Sequence, residues 1–263
     1  MISANGTRWF LINASPDLRQ QIEANRELWP SAHLGRRNTP IAGIVLTTAD
    51  LDQVLGLLLL REFQPLTVYA TGLVRRVLEA NSFFRMLTRV PNQLAWVEIT
   101  PGVPFSLDGV MCTPMPLSDS LPYYAREFSG DDRGEAGLGL IFNSGQARDS
   151  GQTRVAYTPS LPAITDELLA AYASCDVILV DGTFWSDAEL NRTQAGTPLA
   201  RSIGHIPMSG EDGTIAQLAG ITRPRKLFTH INNTNPALDR SSPEATFVRE
   251  SGWELGHDGW QLN

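Results

Sequence analysis

The sequence predicts an α/β fold of two sheets flanked by helices, and three observations lead to it. Short uncharged runs rich in β-branched residues alternate with runs of helical period. The strand-like runs fall into two groups with helices interspersed. Polar residues crowd just beyond several strand ends, where α/β folds place their binding sites. With 263 residues, 42% hydrophobic and 19% charged, the chain can bury a sizeable core, and residues 1–263 are expected to form one domain.

Taken in order, residues 7–12 (Thr-Arg-Trp-Phe-Leu-Ile) read as a strand close to the start of the chain. A strand there needs a partner, and a chain short at its N-terminus is expected, with an exposed sheet edge and association into a homodimer. Ser15 with Pro16 signals a helix start, and the helix is expected over 17–26. Residues 41–46 form a buried strand. The polar loop 47–53 leads into an apolar helix over 54–62, and 66–70 is another strand. Thr71 caps a helix whose apolar positions are Val74, Val77, Leu78 and Leu87. Strands follow at 95–99 and 110–114, then an exposed Gly- and Asp-rich loop over 127–137.

Residues 138–142 and 153–158 are expected to pair as a hairpin around a Gly/Ser/Asp turn. A helix over 165–173 precedes a buried strand at 176–180 that ends at Asp181. Ser186 with Glu189 reads as a capping box. Lys226-Leu227-Phe228 is a strand. Ser242-Pro243-Glu244 opens the last helix, and 253–261 is a closing strand.

Composition narrows the function. A net charge of −7 disfavours nucleic acid and anionic membrane surfaces, since both call for a basic face. Cys112 and Cys175 match no zinc spacing and read as buried free thiols, which fits a reducing cytoplasm. No signal peptide or bilayer-spanning run is visible. No nucleophile elbow, P-loop or dinucleotide fingerprint occurs, so no nucleotide cofactor is expected; Gly-Leu-Gly-Leu at 137–140 lacks the third glycine.

The densest polar cluster is Thr229-His230-Ile231-Asn232-Asn233-Thr234-Asn235-Pro236, directly after a strand. Asn and Thr hold irregular turns, and His is the commonest metal ligand and acid–base group. Asp50 and Asp52 flank one residue, and extended backbone would put both carboxylates on one face, where a hard or borderline cation would relieve their repulsion. The other reading places Asp52 at a helix N-terminus, where acidic residues favour the dipole. Asp181 before Gly182 is either a site carboxylate or an Asx-type turn. His205 in Gly204-His205-Ile206-Pro207 is either a site residue or a loop histidine. His33 and His257 read as structural.

Several segments together resemble the coenzyme PQQ synthesis protein B family, a branch of the metallo-β-lactamase superfamily. They are residues 9–17, 57–62, Leu179-Val180-Asp181-Gly182-Thr183-Phe184-Trp185, Gly204-His205-Ile206-Pro207, residues 230–236 and Ser242-Pro243-Glu244. The resemblance implies a four-layer αββα sandwich. It implies a role in making pyrroloquinoline quinone (PQQ), as an iron(II)- or other divalent-metal-dependent oxygenase that hydroxylates the tyrosine ring of a peptide-derived precursor. A non-catalytic carrier of the quinone or its precursor is the alternative, and a metal-dependent hydrolase a weaker one.

The departures are informative. The superfamily's His-x-His-x-Asp-His loop falls on Thr48, Asp50, Asp52 and Gln53. Its bridging aspartate falls on Pro159, and its third histidine near Leu117 and Ser118. The resemblance implies metal ligands Asp52 and His230, with Asp50, Gln53 or His205 as the third. On that reading His205 is a proton carrier or substrate ligand oriented by Asp181. Arg201 and Arg192 near it are candidates to meet substrate carboxylates or else solvated surface charges, and Asn232, Asn233 and Asn235 are expected to meet substrate. The family's N-terminal Cys-rich segment, which looks like a structural zinc site, is expected to be missing together with the strand that would precede residue 7.

Overall fold

The computed structural model describes residues 1–32, 35, 37–60, 65–128, 135–144 and 152–262. Backbone packing divides the chain into two compact units, residues 1–138 with 144–147 and residues 139–143 with 148–263.

In the first unit the strands β1 (Trp9–Ile12), β2 (Ile41–Val45), β3 (Leu66–Ala70) and β4 (Leu94–Glu98) form an all-parallel sheet in that order. The partner expected for the first strand is therefore β2, and Ile2 adds an antiparallel bridge to Phe10. Three helices accompany the sheet: α1 (Leu18–Ala24), α2 (Leu51–Val54) and α3 (Gly72–Ala80). Their apolar faces pack with the strands into one core that includes Ile44, Leu46, Val68, Val74 and Leu78, all at most 1% exposed. The Thr71 side chain accepts from the Val74 N–H, so the expected cap is in place. A hairpin of β5 (Phe105–Leu107) and β6 (Val110–Ser118) completes the unit.

Three local expectations change here. The apolar run after residue 54 is not an α-helix. It forms 3-10 turns over Leu55–Leu60, and part of the expected range, residues 61–64, lies outside the described residues. Gly56 explains the departure, because a Cβ there would stand 2.2 Å from the Ser15 carbonyl oxygen, and the Gly56 N–H donates to Ala14 O instead. Leu87 belongs to a separate 3-10 turn (Phe84–Thr88), since α3 ends at Ala80. Ser15 caps no helix; α1 starts after Asp17 without a side-chain cap.

In the second unit β7 (Gly137–Ser144) contributes residues 139–143 and pairs antiparallel with β8 (Arg154–Thr158), as the expected hairpin. Most of the hairpin's turn and of the expected 127–137 loop lies outside the described residues, as does His33. After α4 (Asp166–Ala173), capped by Thr165, comes β9 (Val177–Asp181). Then follow α5 (Glu189–Thr193), α6 (Thr214–Gln217), β10 (Arg225–Thr229), α7 (Pro243–Glu250) and β11 (Trp253–Leu255). The strands β8, β9, β10 and β11 are parallel neighbours in that order. Ser242 caps α7 by accepting from Ala245 N–H. The closing strand is only three residues long, because the Gly256 N–H bonds Phe228 O and the chain then turns away. Cys112 and Cys175 are buried free thiols. No helix of the described residues is long and apolar enough to cross a membrane.

The ends of β1 and β2 are tied by one polar knot. Asn13, in the left-handed region at φ 62°, donates through Nδ2 to Thr47 Oγ1 (2.9 Å) and Gln53 Oε1 (2.5 Å), and its Oδ1 accepts from Thr47 N–H (2.8 Å). The Thr47 hydroxyl also lies 2.8 Å from Gln53 Oε1. The Gln53 amide oxygen is thus an acceptor within the scaffold, which leaves it a poor metal ligand. Gln53→Leu keeps the volume and removes the acceptor from two buried donors. Urea denaturation should show a loss of about 1–3 kcal/mol with unchanged metal content. A fall in metal content at unchanged stability would instead restore Gln53 as a ligand.

Candidate functional site

Three parallel strands, β8, β9 and β10, end side by side, and the side chains beyond their ends form one hydrogen-bonded cluster within the second unit. Asp181 closes β9 opposite Thr229 of β10, and its carboxylate is fully buried. Such a group is tolerated only with donors on both oxygens. Oδ1 accepts from the Thr183 N–H (3.0 Å) and the Thr183 hydroxyl (2.6 Å). Oδ2 accepts from the Leu161 N–H (2.9 Å), in the loop after β8, and lies 2.6 Å from His205 Nδ1. The Thr183 contact is an Asx turn, so the turn reading and the site reading of Asp181 hold together.

Gly182 is required between them. A Cβ there would lie 2.8 Å from Phe228 Cβ and 3.3 Å from Ile231 Cγ1, so any larger residue would push β9 from β10.

The Thr183 hydroxyl also reaches His230, 2.8 Å from Nδ1 and 3.0 Å from the carbonyl oxygen. A hydroxyl has one proton, and the Asp181 carboxylate takes it. The His230 Nδ1 must then be the protonated nitrogen donating to Oγ1. His205, facing the carboxylate through Nδ1, carries its proton there too. Both rings consequently keep a lone pair on Nε2. They are stacked, with centroids 5.8 Å apart and planes 15° from parallel, and Phe184 meets the His205 ring edge-on at 5.7 Å. The His205 side chain is 13% exposed and that of His230 27%, so each is reachable from solvent. His230 sits at φ 56°, a conformation that costs a residue with a Cβ roughly 1–2 kcal/mol.

Asp181, His205 and His230 offer nitrogen and oxygen atoms within 4.8 Å of one another. The 2.6 Å between Oδ2 and His205 Nδ1 is shorter than the roughly 2.9 Å or more that separates two donors on one ion, so it is a hydrogen bond. Asp181 therefore orients the imidazoles, as carboxylates and hydroxyls do behind metal-bound histidines. His230 fits a metal through Nε2, because Thr183 already fixes its other nitrogen.

Most of the remaining candidates belong to the scaffold or the surface. Asn235 is buried and spent on structure: Nδ2 donates to Gly182 O (2.9 Å) and Oδ1 accepts from Ala237 N–H. Asn232 donates to Thr234 Oγ1 (2.7 Å), which donates to Glu189 Oε1 (2.5 Å). Asn233, Arg192 and Arg201 are exposed, and Arg201 pairs with Asp212 at 2.9 Å. The His257 ring nitrogen Nδ1 meets Asp258 O. Asp50 is the N-cap residue of α2 and Asp52 lies in its first turn, in the first unit. The backbone turns helical at Leu51, so the extended spacing invoked for the two carboxylates does not exist, and the helix-terminus reading of Asp52 is the one the backbone follows.

The capping box is also corrected. Glu189 is buried and accepts from the Trp185 N–H (2.6 Å), not from Ser186, and α5 begins at Glu189 itself. Sequence reasoning missed Thr183 and Glu189. The signal for Thr183 was its place two residues after Asp181; Glu189 gave none beyond the capping-box spacing.

Residues 8–231 match the Beta-lactamase superfamily domain family. Coenzyme PQQ synthesis protein B from Xanthomonas oryzae pv. oryzae (strain MAFF 311018) is 37% identical over 264 residues, covering 99% of this chain and 85% of its own. The protein of the same name from Methylorubrum extorquens (strain PA1) is 38% identical over 265 residues, with 100% and 85% covered. The chain belongs to the coenzyme PQQ synthesis protein B family. The crystal structure of Zn(2+)-bound PqqB from Methylobacterium extorquens matches with a TM-score of 0.90 at 37% identity, over 100% of this chain and 85% of that one. A diphosphatase of the PhnP family matches at a TM-score of 0.60 and 20% identity, which shows a common fold. The chain accordingly has the metallo-β-lactamase fold, α/β with sheets flanked by helices.

Thr183→Val removes the hydroxyl at nearly constant volume. It should cost about 1–3 kcal/mol in denaturant unfolding, since a buried carboxylate and an imidazole each lose a partner. Thr183→Ser should recover most of this. Equal stability of the valine variant would show that the hydroxyl does not hold the cluster.

Proposed function

We propose that this chain acts in PQQ biosynthesis as a metal-dependent oxygenase that hydroxylates the ring of a tyrosine-derived peptide precursor. The observation that carries the reading is the pair of stacked imidazoles held through Nδ1 by Asp181 and Thr183. Family membership supports the pathway. A Zn(2+)-bound relative supports a divalent metal, with iron(II) the ion suited to oxygen chemistry.

His230 is the residue of the second unit that would hold the metal, through Nε2. The bound ion would supply a place for dioxygen to be activated. The chain's own residues do the rest. His205 takes a proton from the substrate at Nε2, and Asp181 stabilises the resulting imidazolium through the 2.6 Å contact at Nδ1. Thr183 keeps His230 in the Nδ1-protonated form, so that its Nε2 lone pair is never lost to the wrong tautomer.

A non-catalytic carrier of the quinone is the second reading, favoured by the engagement of Gln53 in the scaffold, where the superfamily has a histidine. A hydrolase is less favoured, because Pro159 stands where a bridging aspartate would help hold a metal-bound water.

Anaerobic iron(II) titration followed by oxygen uptake with the precursor separates them. The wild type should retain iron and consume oxygen. His230→Ala should lose iron. His205→Asn should keep it and turn over about 10²–10⁴-fold more slowly. A folded wild type that binds precursor yet retains no iron and consumes no oxygen would replace the oxygenase with the carrier.

A further inference from the structure

Lys226 is a buried cation with no counter-charge among the described residues. It sits in the middle of β10 and is 9% exposed. It shares a strand face with Phe228, and its ammonium lies 5.4 Å from the Trp253 ring centre. Nζ donates to the Ile221 carbonyl oxygen at 3.0 Å. Among the described residues no carboxylate pairs with it. One carbonyl and one aromatic face satisfy an ammonium with three donors only in part. Removing a charge from water is costly unless a partner restores it. Burial alone accordingly pushes this amine down from its ordinary value.

The ammonium lines a cavity of about 310 Å³ within the second unit. Its other walls are Ser209 and Gly210 ahead of α6, Ile215 and Ala216 of α6, and Phe247 and Ser251 at the end of α7. The Ser209 hydroxyl is committed to Trp185 O, but the Ser251 hydroxyl makes no hydrogen bond to the described residues. The cavity thus combines a nine-tenths-buried cation with two unused N–H bonds, a free hydroxyl, and an apolar wall.

We infer that this cavity is a binding site for a small oxyanion, a carboxylate or phosphate group, which completes the shell of Lys226. A charge-assisted bond from a partly desolvated ammonium is the strong kind. The volume admits a head group with a short apolar stem, and the stem would lie against Ile215 and Phe247. A lysine that merely ran its stem along apolar surface would be largely exposed at its end; here the residue is 9% exposed and lines the cavity. The site is distinct from the histidine cluster, which follows the end of β10, and it stands whether or not the oxygenase reading does.

Calorimetric titration of the full chain with inorganic phosphate and with succinate, against chloride at matched ionic strength, tests this. At least one of the two should bind saturably at one site, and which one does separates a phosphate ligand from a carboxylate. Lys226→Met should weaken that binding about tenfold or more. Ala216→Phe, which keeps the lysine and fills the cavity, should do the same and serves where the methionine variant does not fold. Absence of saturable binding by either anion, or equal affinity in the folded variant, would overturn the assignment.

Discussion

The second unit depends on one constraint, the burial of a carboxylate at the end of a central strand. Asp181 has no contact with water, so four donors must meet its two oxygens at hydrogen-bond distance. Two are backbone N–H groups, which fix the loop after β8 and the turn after β9. The other two are Thr183 and His205. Satisfying one group therefore sets the positions of three segments far apart in sequence. The Ile206 N–H donates to Leu161 O, and the Asn232 N–H to Thr183 O, so the segments brace each other as well.

From that constraint the imidazole geometry follows. A hydroxyl already donating to a carboxylate can only accept from a ring nitrogen, and this decides the tautomer of His230 without any direct bond to Asp181. The strained backbone of His230 is maintained by the ring's own bond to that hydroxyl and by the Asn235 side chain that anchors the following loop. Glu189 and Thr234 form a further layer beneath. The cluster is rigid because its members are over-determined, which suits groups that must present lone pairs in fixed directions.

Much of this could be read from the sequence where a local rule and the tertiary packing agree. Thr71 and Ser242 cap the helices they were expected to cap, and 66–70 is a strand with the expected ends, because polar caps and apolar periods act within a few residues. The polar crowding after residue 228 and the Asp-Gly-Thr turn marked the right strand ends. Failures occur where a distant contact decides. The run after Val54 has helical composition but must pass the carbonyls of Ala14 and Ser15, and only 3-10 turns with a glycine allow it. Asp50 and Asp52 were paired on an extended spacing that the chain abandons one residue earlier. Glu189 sits at the capping-box position yet bonds Trp185 and Thr234, and no local pattern reveals that. Family resemblance supplied the pathway; it could not show that Gln53 is bound to Asn13 and Thr47.

The most direct test of the account is the ring protonation of the two histidines, read by ¹⁵N NMR of imidazole-labelled protein at neutral pH. The hydrogen bonds to Asp181 and Thr183 predict that His205 and His230 both carry their proton on Nδ1, with Nε2 showing the shift of an unprotonated nitrogen or of a metal-bound one. A proton on Nε2 with a bare Nδ1 in either ring would contradict the arrangement on which the proposed chemistry rests.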